Sequence, residues 1–143
     1  MLFHYPENQA HLCRLPHDGD VLEEINKICA DHGITAGTLT VIGAVKKVRL
    51  GFYHQDRKEY EILDFDEPLE IVSCAGNISL KDGKPFAHLH VALSDARGAL
   101  IGGHLMPGTV IFAAEACIQK FHGAAPAREF DPTTGLPLWQ SGC

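Results

Sequence analysis

The sequence predicts an α+β domain in which one early helix precedes a run of strands joined by tight turns. Three observations carry this. Apolar residues recur at helical spacing once, between Asp20 and His32. After Gly33 the pattern changes to β-branched runs and to alternation with a period of two. Hairpin-type turns, rather than further helices, separate those runs, which argues against alternating βαβ units. The chain has 143 residues, 45% of them hydrophobic, which suits a single domain with one core. A chain of this size buries roughly 68–70% of the surface exposed when unfolded.

The helix is expected from about Asp20 to His32, with Val21, Leu22, Ile25, Ile28 and Cys29 on one apolar stripe. Asp18 or Asp20 can cap its start, Glu23 or Glu24 suits the first turn, and Gly33 suits a left-handed C-cap. TAGTLTVIGAV and KKVRLGFY follow as strands, with Gly43 and Ala44 marking a bend or bulge between them. KEYEILDF is a further short strand. LEIVSCAGNISL leads through Lys81-Asp82-Gly83-Lys84, a type I′ turn by composition, into PFAHLHVAL. Asp95-Ala96-Arg97-Gly98 turns the chain into ALIGGHL, and TVIFAAEACIQ is the next strand. Periodicity does not establish a second helix after His104. The tail from His122, with Pro126, Pro132 and Pro137, is expected as an irregular arm. It should pack on the body, since Leu136, Leu138 and Trp139 would otherwise be exposed.

Charge narrows the partners. With 18 acidic and 12 basic residues the formal net charge is −6, whereas DNA-binding surfaces concentrate Lys and Arg on one face. Lys46, Lys47 and Arg49 are the nearest approach to a basic cluster, and alternation divides them between strand faces. DNA affinity is therefore expected to be weak or absent. Five scattered cysteines (Cys13, Cys29, Cys74, Cys117, Cys143) without a CxxC fit reduced, apolar fillers. MLFHYPENQAHL lacks the pattern of a secretory signal, and no apolar run is long enough to span a bilayer. The expectation is a cytoplasmic protein with no membrane contact.

Nine histidines is a high count, so position must separate ligands from bystanders. His4, His11, His17, His32 and His54 lie near termini, turns or the helix end, where a solvated role is expected. His88-Leu89-His90 differs. On a strand both imidazoles share a face, while Ala87, Leu89, Val91 and Leu93 form an apolar opposite face that anchors the strand. Gly102-Gly103-His104 follows in the next strand after a tight turn, so antiparallel pairing can bring His104 beside the pair. Three neutral imidazoles with an open fourth position match a catalytic-type zinc site, whereas structural zinc is closed by four protein ligands. Glu70 and Glu115 are the candidate general acids or bases. Glu70 opens the strand before the HxH strand, and Glu115 sits inside a very apolar strand where a lone carboxylate needs a partner. Arg49 is a possible partner for a carboxylate or small anionic ligand. There is no GxSxG, P-loop or GxGxxG motif.

IGAV, EI-x-S-x-x-G-N-I, DGKP-x-x-H-x-H and GGHL, in this order, resemble the PPC domain conserved in plants and prokaryotes. The resemblance covers about residues 10–120 of a single domain spanning 1–143. It implies a mixed, largely antiparallel sheet with flanking helices, related to the acetolactate decarboxylase-like fold, and assembly as a homotrimer. It also implies metal ligation by His88, His90 and His104. Plant members carry AT-hooks for DNA, which this chain lacks. Three functions follow as expectations: a metal-binding module, a zinc lyase or hydrolase acting on a small carboxylate or ester, and a DNA-associated regulator.

Overall fold

The computed structural model describes residues 7–139, so His4 and Cys143 lie outside it. Its elements are β1 (Asn8–Leu15), α1 (Val21–Asp31), β2 (Gly37–His54), β3 (Glu59–Phe65) and β4 (Leu69–Lys81). They continue with β5 (Lys84–Ser94), β6 (Leu100–Leu105), β7 (Val110–Phe121), β8 (Ala127–Asp131) and β9 (Leu136–Trp139). All belong to one sheet except α1, the single helix among the described residues, where the resemblance implied more than one.

α1 begins where its cap chemistry dictates. Asp20 is extended, and its carboxylate accepts from the Glu23 amide at 3.0 Å. The second carboxylate oxygen accepts from the Gly108 amide at 2.6 Å, which ties the helix start to the loop before β7. Gly33 follows the helix at φ +59°, the left-handed turn expected of it. Val21, Leu22, Ile25 and Cys29 are buried against the sheet, in one core with Leu39, Leu89, Leu93 and Ile118.

The two segments expected around Gly43 form one strand of 18 residues. β2 is the hub of the sheet, pairing antiparallel with β4 and β7 along its first half and with β3 and β6 along its second. Gly43 carries the bulge at φ +131°. A Cβ there would lie 2.2 Å from the Ala113 carbonyl oxygen, so only glycine fits. β2 pairs with β4, β4 with β5, β5 with β6, and β6 with β2, which closes a ring. The one parallel pairing is β4 with β8. The sheet is thus mixed and largely antiparallel, as expected.

Two segments differ from expectation. NQAHLCRL, unassigned from sequence, is β1 and pairs with β7 along its whole length. The tail is not irregular: β8 and β9 form a hairpin whose first strand lies alongside the end of β4, Lys81 opposite Arg128. Pro137 sits in the terminal strand β9, where a missing amide donor is tolerated. After His104 the chain makes a turn, with Gly108 at φ +104°, rather than a helix.

The approach of β5 to β4 is unusually close at Gly76, opposite Leu89. A Cβ added at Gly76 would stand 1.8 Å from the His88 carbonyl oxygen. Gly76→Ala should therefore push β4 from β5 and destabilise the fold by about 1–3 kcal/mol, the range for overpacked interiors. Urea denaturation measures this, and an unchanged midpoint would contradict the close approach.

Candidate metal centre

Register and alternation assemble the three histidines. The Asp82-Gly83 turn, with both residues at positive φ, sets the β4–β5 register. His90 then lies opposite Ala75 and His88 opposite Asn77. On the other side of β5, His104 of β6 lies directly opposite His90. Ala87, Leu89, Val91 and Leu93 are buried, so the histidines occupy the outer face of a firmly anchored strand. A Cβ at Gly102 would stand 2.5 Å from the Val91 carbonyl oxygen, so this glycine lets β6 approach β5 closely.

Each histidine offers a ring nitrogen, and these atoms lie within 4.8 Å of one another. Ring centroids are 5.3 Å apart for His88–His90 and for His90–His104, and 4.9 Å for His88–His104. Burial, more than any neighbour, pulls His88 and His104 down to about 4. The other imidazoles and the Arg128 cation act in the same direction. Both rings are thus neutral at physiological pH, the form that ligates metal. His104 Nδ1 is buried and has no hydrogen-bond partner. An orphaned nitrogen on a ring clustered with two other imidazoles suits a metal-ligand set better than a protein hydrogen-bond network. The residues present therefore fit a transition metal with three protein ligands.

A cavity of about 380 Å³ opens beside His88 and His104. Leu22, Phe86, Leu105, Met106, Leu136 and Leu138 line its apolar part, and Glu23, Tyr60, Lys81 and Arg128 its polar part. The Tyr60 ring lies 5.2 Å from that of His104, and burial pushes its phenol up. Arg128 Nη2 donates to His88 Nδ1 at 3.3 Å.

The candidate carboxylates sit elsewhere. Glu70 pairs with Ser94, four residues along β5 from His90 or about 13 Å at strand rise. It lines a different groove with Pro68 and Asp95. Glu115 is exposed on β7 between Arg14 and Ile42, because that strand carries apolar residues on both faces and does not bury them all. Arg49 pairs with Asp64 at 3.3 Å. His54 pairs with Glu61 at 2.7 Å and His17 with the Phe112 carbonyl at 2.6 Å. Tyr60 and Arg128, both beside the histidines, were not singled out from sequence. Tyr60 stands in a polar strand, and Arg128 in a segment whose prolines and glycines predict an irregular arm. No pattern in the sequence marks either one.

The depressed histidines carry a pH signature. Between their ordinary 6.5 and about 4, the unfolded chain binds more protons than the folded one. Their contribution to stability is therefore present above pH 6.5 and is lost as pH falls towards about 4. Melting temperatures of metal-free protein should decline across this window. In the His88→Gln/His104→Gln variant the decline should be shallower, and equal slopes would assign it to other groups.

A family model, the Plants and Prokaryotes Conserved (PCC, also written PPC) domain, matches residues 4–122. A metal-containing protein from Archaeoglobus fulgidus has a structure similar to this chain at TM-score 0.94 and 40% identity, covering 99% of each chain. A plant- and prokaryote-conserved protein from Pyrococcus horikoshii follows at TM-score 0.93 and 32% identity, covering 100% of this chain and 99% of that one. More distant structures share the fold alone. Two are provisionally described as DNA-binding proteins. Another, a Staphylococcus aureus protein similar to alpha-acetolactate decarboxylase, has TM-score 0.55 and 11% identity over 84% of this chain and 54% of that one. Among curated proteins, a bifunctional protein GlmU from a Synechococcus strain is 32% identical over 124 residues, 85% of this chain and 19% of that protein. The chain thus spans less than a fifth of that relative's length. By the extent of the family match, this chain belongs to the Plants and Prokaryotes Conserved domain family.

Proposed function

We propose that the chain is a metal-binding module that holds one transition metal ion, zinc foremost, through His88, His90 and His104, and leaves a coordination position for a small anionic ligand. The observation that carries this is the convergence of three imidazole nitrogens within 4.8 Å, two of them on rings that burial keeps neutral. The metal-containing description of the similar Archaeoglobus protein supports it. Histidine-only ligation suits zinc among the biological divalent ions, since imidazole is a ligand of choice for it and hard cations take oxygen.

A second reading, a zinc-dependent lyase or hydrolase for a small carboxylate or ester, is favoured by the cavity beside the histidines. A bound metal there would supply Lewis acidity or an activated water. Tyr60 and Glu23, rather than Glu70 or Glu115, are the acids that line the cavity. DNA regulation is disfavoured by the net charge of −6 and by a sequence whose nearest approach to a basic cluster is Lys46, Lys47 and Arg49.

The working unit in this reading is a homotrimer. Leu12, Ile42, Val72 and Phe112 are exposed on the neighbouring strands β1, β2, β4 and β7, an apolar surface of the kind that marks an interface. A reducing, cytoplasmic setting agrees with the free thiols of Cys13, Cys29, Cys74 and Cys117. Among the described residues no helix is long and apolar enough to cross a membrane.

Elemental analysis of freshly purified protein should find about one transition metal ion per chain. The His88→Ala/His90→Ala variant should hold almost none, and retained occupancy would move the site elsewhere. Assaying the same two samples against 2-hydroxy-3-oxo acids and activated esters separates the readings. Turnover lost with the metal supports an enzyme, and equal background rates leave a binding module. Light scattering should give a trimer mass at micromolar concentration, reduced by Ile42→Asp/Phe112→Asp. A monomer mass for the unaltered protein would refute assembly.

A further inference from the structure

Arg128 is held with unusual completeness for a charged side chain at a cavity wall. Its Nε donates to Ser79 Oγ at 2.8 Å, Nη1 to the Pro137 carbonyl at 3.1 Å, and Nη2 to Asn77 Oδ1 at 2.9 Å. Its guanidinium lies over Phe86 at 5.4 Å and Trp139 at 5.6 Å. Among the described residues its hydrogen-bond partners are all neutral and it makes no ion pair with a carboxylate. A half-buried guanidinium positioned by neutral partners is a common arrangement for receiving an anionic ligand. Lys81, over the Phe86 ring at 5.2 Å, adds a second positive charge to a wall whose carboxylate is Glu23.

The remaining bond of Arg128 responds to the histidine site. Nη2 also donates to Nδ1 of His88 at 3.3 Å. If His88 ligates a metal through Nδ1, that lone pair is taken. If it ligates through Nε2, Nδ1 carries the proton. In either case one guanidinium N–H loses its acceptor beside the metal centre. Most of the cavity's lining residues are apolar, and its volume of about 380 Å³ lies at the small end of ligand sites.

We propose that Arg128 and this cavity form a pocket for a small monocarboxylate with an apolar tail, held with its charged end beside both the guanidinium and the three-histidine site. The proposal deepens the metal-site reading and rests on it for where the carboxylate ends. The cation and the apolar walls are independent of it. Arg128 also lies beyond residues 4–122, where the family model ends, so the β8–β9 hairpin supplies one of the pocket's two cations.

The test is calorimetric titration of zinc-loaded protein with hexanoate, hexanamide and acetate, alongside zinc analysis and circular dichroism of every sample. Hexanoate should bind at least about tenfold more tightly than hexanamide, as charge-assisted hydrogen bonds require. Arg128→Gln should weaken hexanoate by about tenfold or more while zinc content stays that of the unaltered protein. Leu136→Trp narrows the cavity and leaves Arg128 in place, so it should weaken hexanoate and spare acetate. Equal affinity for hexanoate and hexanamide, or undiminished hexanoate binding in either variant, would overturn the pocket. If Arg128→Gln does not fold, the hexanamide and Leu136→Trp arms decide. Unaltered protein that takes up no zinc would overturn the metal reading instead, and the hexanoate comparison would still decide the pocket.

Discussion

The close packing of β5 between β4 and β6 is the constraint on which the site depends. Side chains on a strand alternate, so the apolar row from Ala87 to Leu93 must face the core, and His88 and His90 are then committed to the other face. A slip of one residue would bury both imidazoles and expose the leucines, which burial of Leu89 and Leu93 opposes by roughly 1.5–3 kcal/mol for each side chain. Glycine at 76 and at 102 allows the flanking strands to approach within backbone contact. Hydrophobic register and glycine spacing together therefore place three rings from two strands around one point, without any residue of the site having to direct the fold.

What the sequence makes readable follows from the same physics. The helix with its Asp20 cap and Gly33 terminator, the Asp82-Gly83 hairpin and the HxH face are local patterns, and each is found where it is expected. Features that depend on distant pairing are not readable in this way. β1 is a strand because β7 supplies its partner, and β8 because the end of β4 does. Arg128 reaches the histidines only through that second pairing, and nothing in AREFD announces it. Glu70 and Glu115 are candidates by local pattern alone, and register and the outward face of β7 decide where they sit.

Electrostatics on two scales point in opposite directions. The chain as a whole is acidic at −6, which opposes polyanions over distances longer than a screening length of about 8 Å. Within the cavity, the Arg128 and Lys81 cations outnumber the one lining carboxylate, Glu23, beside the neutral rings of His88 and His104. An acidic chain can thus carry a recess with a locally positive balance of charge, because salt screens the outer charges far more than the inner ones.

β2 has a consequence for how the molecule comes to exist at all. Its partners all lie later in the chain and are spread widely along it: Gly37 pairs with Lys120 and Ile78, and Leu50 with Leu63 and Leu105. A strand that must wait for residues synthesised long after it has little to gain from forming early. Loop-closure entropy is lost before the pairings that offset it appear, which places such topologies in the millisecond-to-second range of folding. The hub strand also leaves no part of the ring able to stand without the rest, so unfolding is expected to be all-or-none, with the histidine site vanishing in the same step as the core.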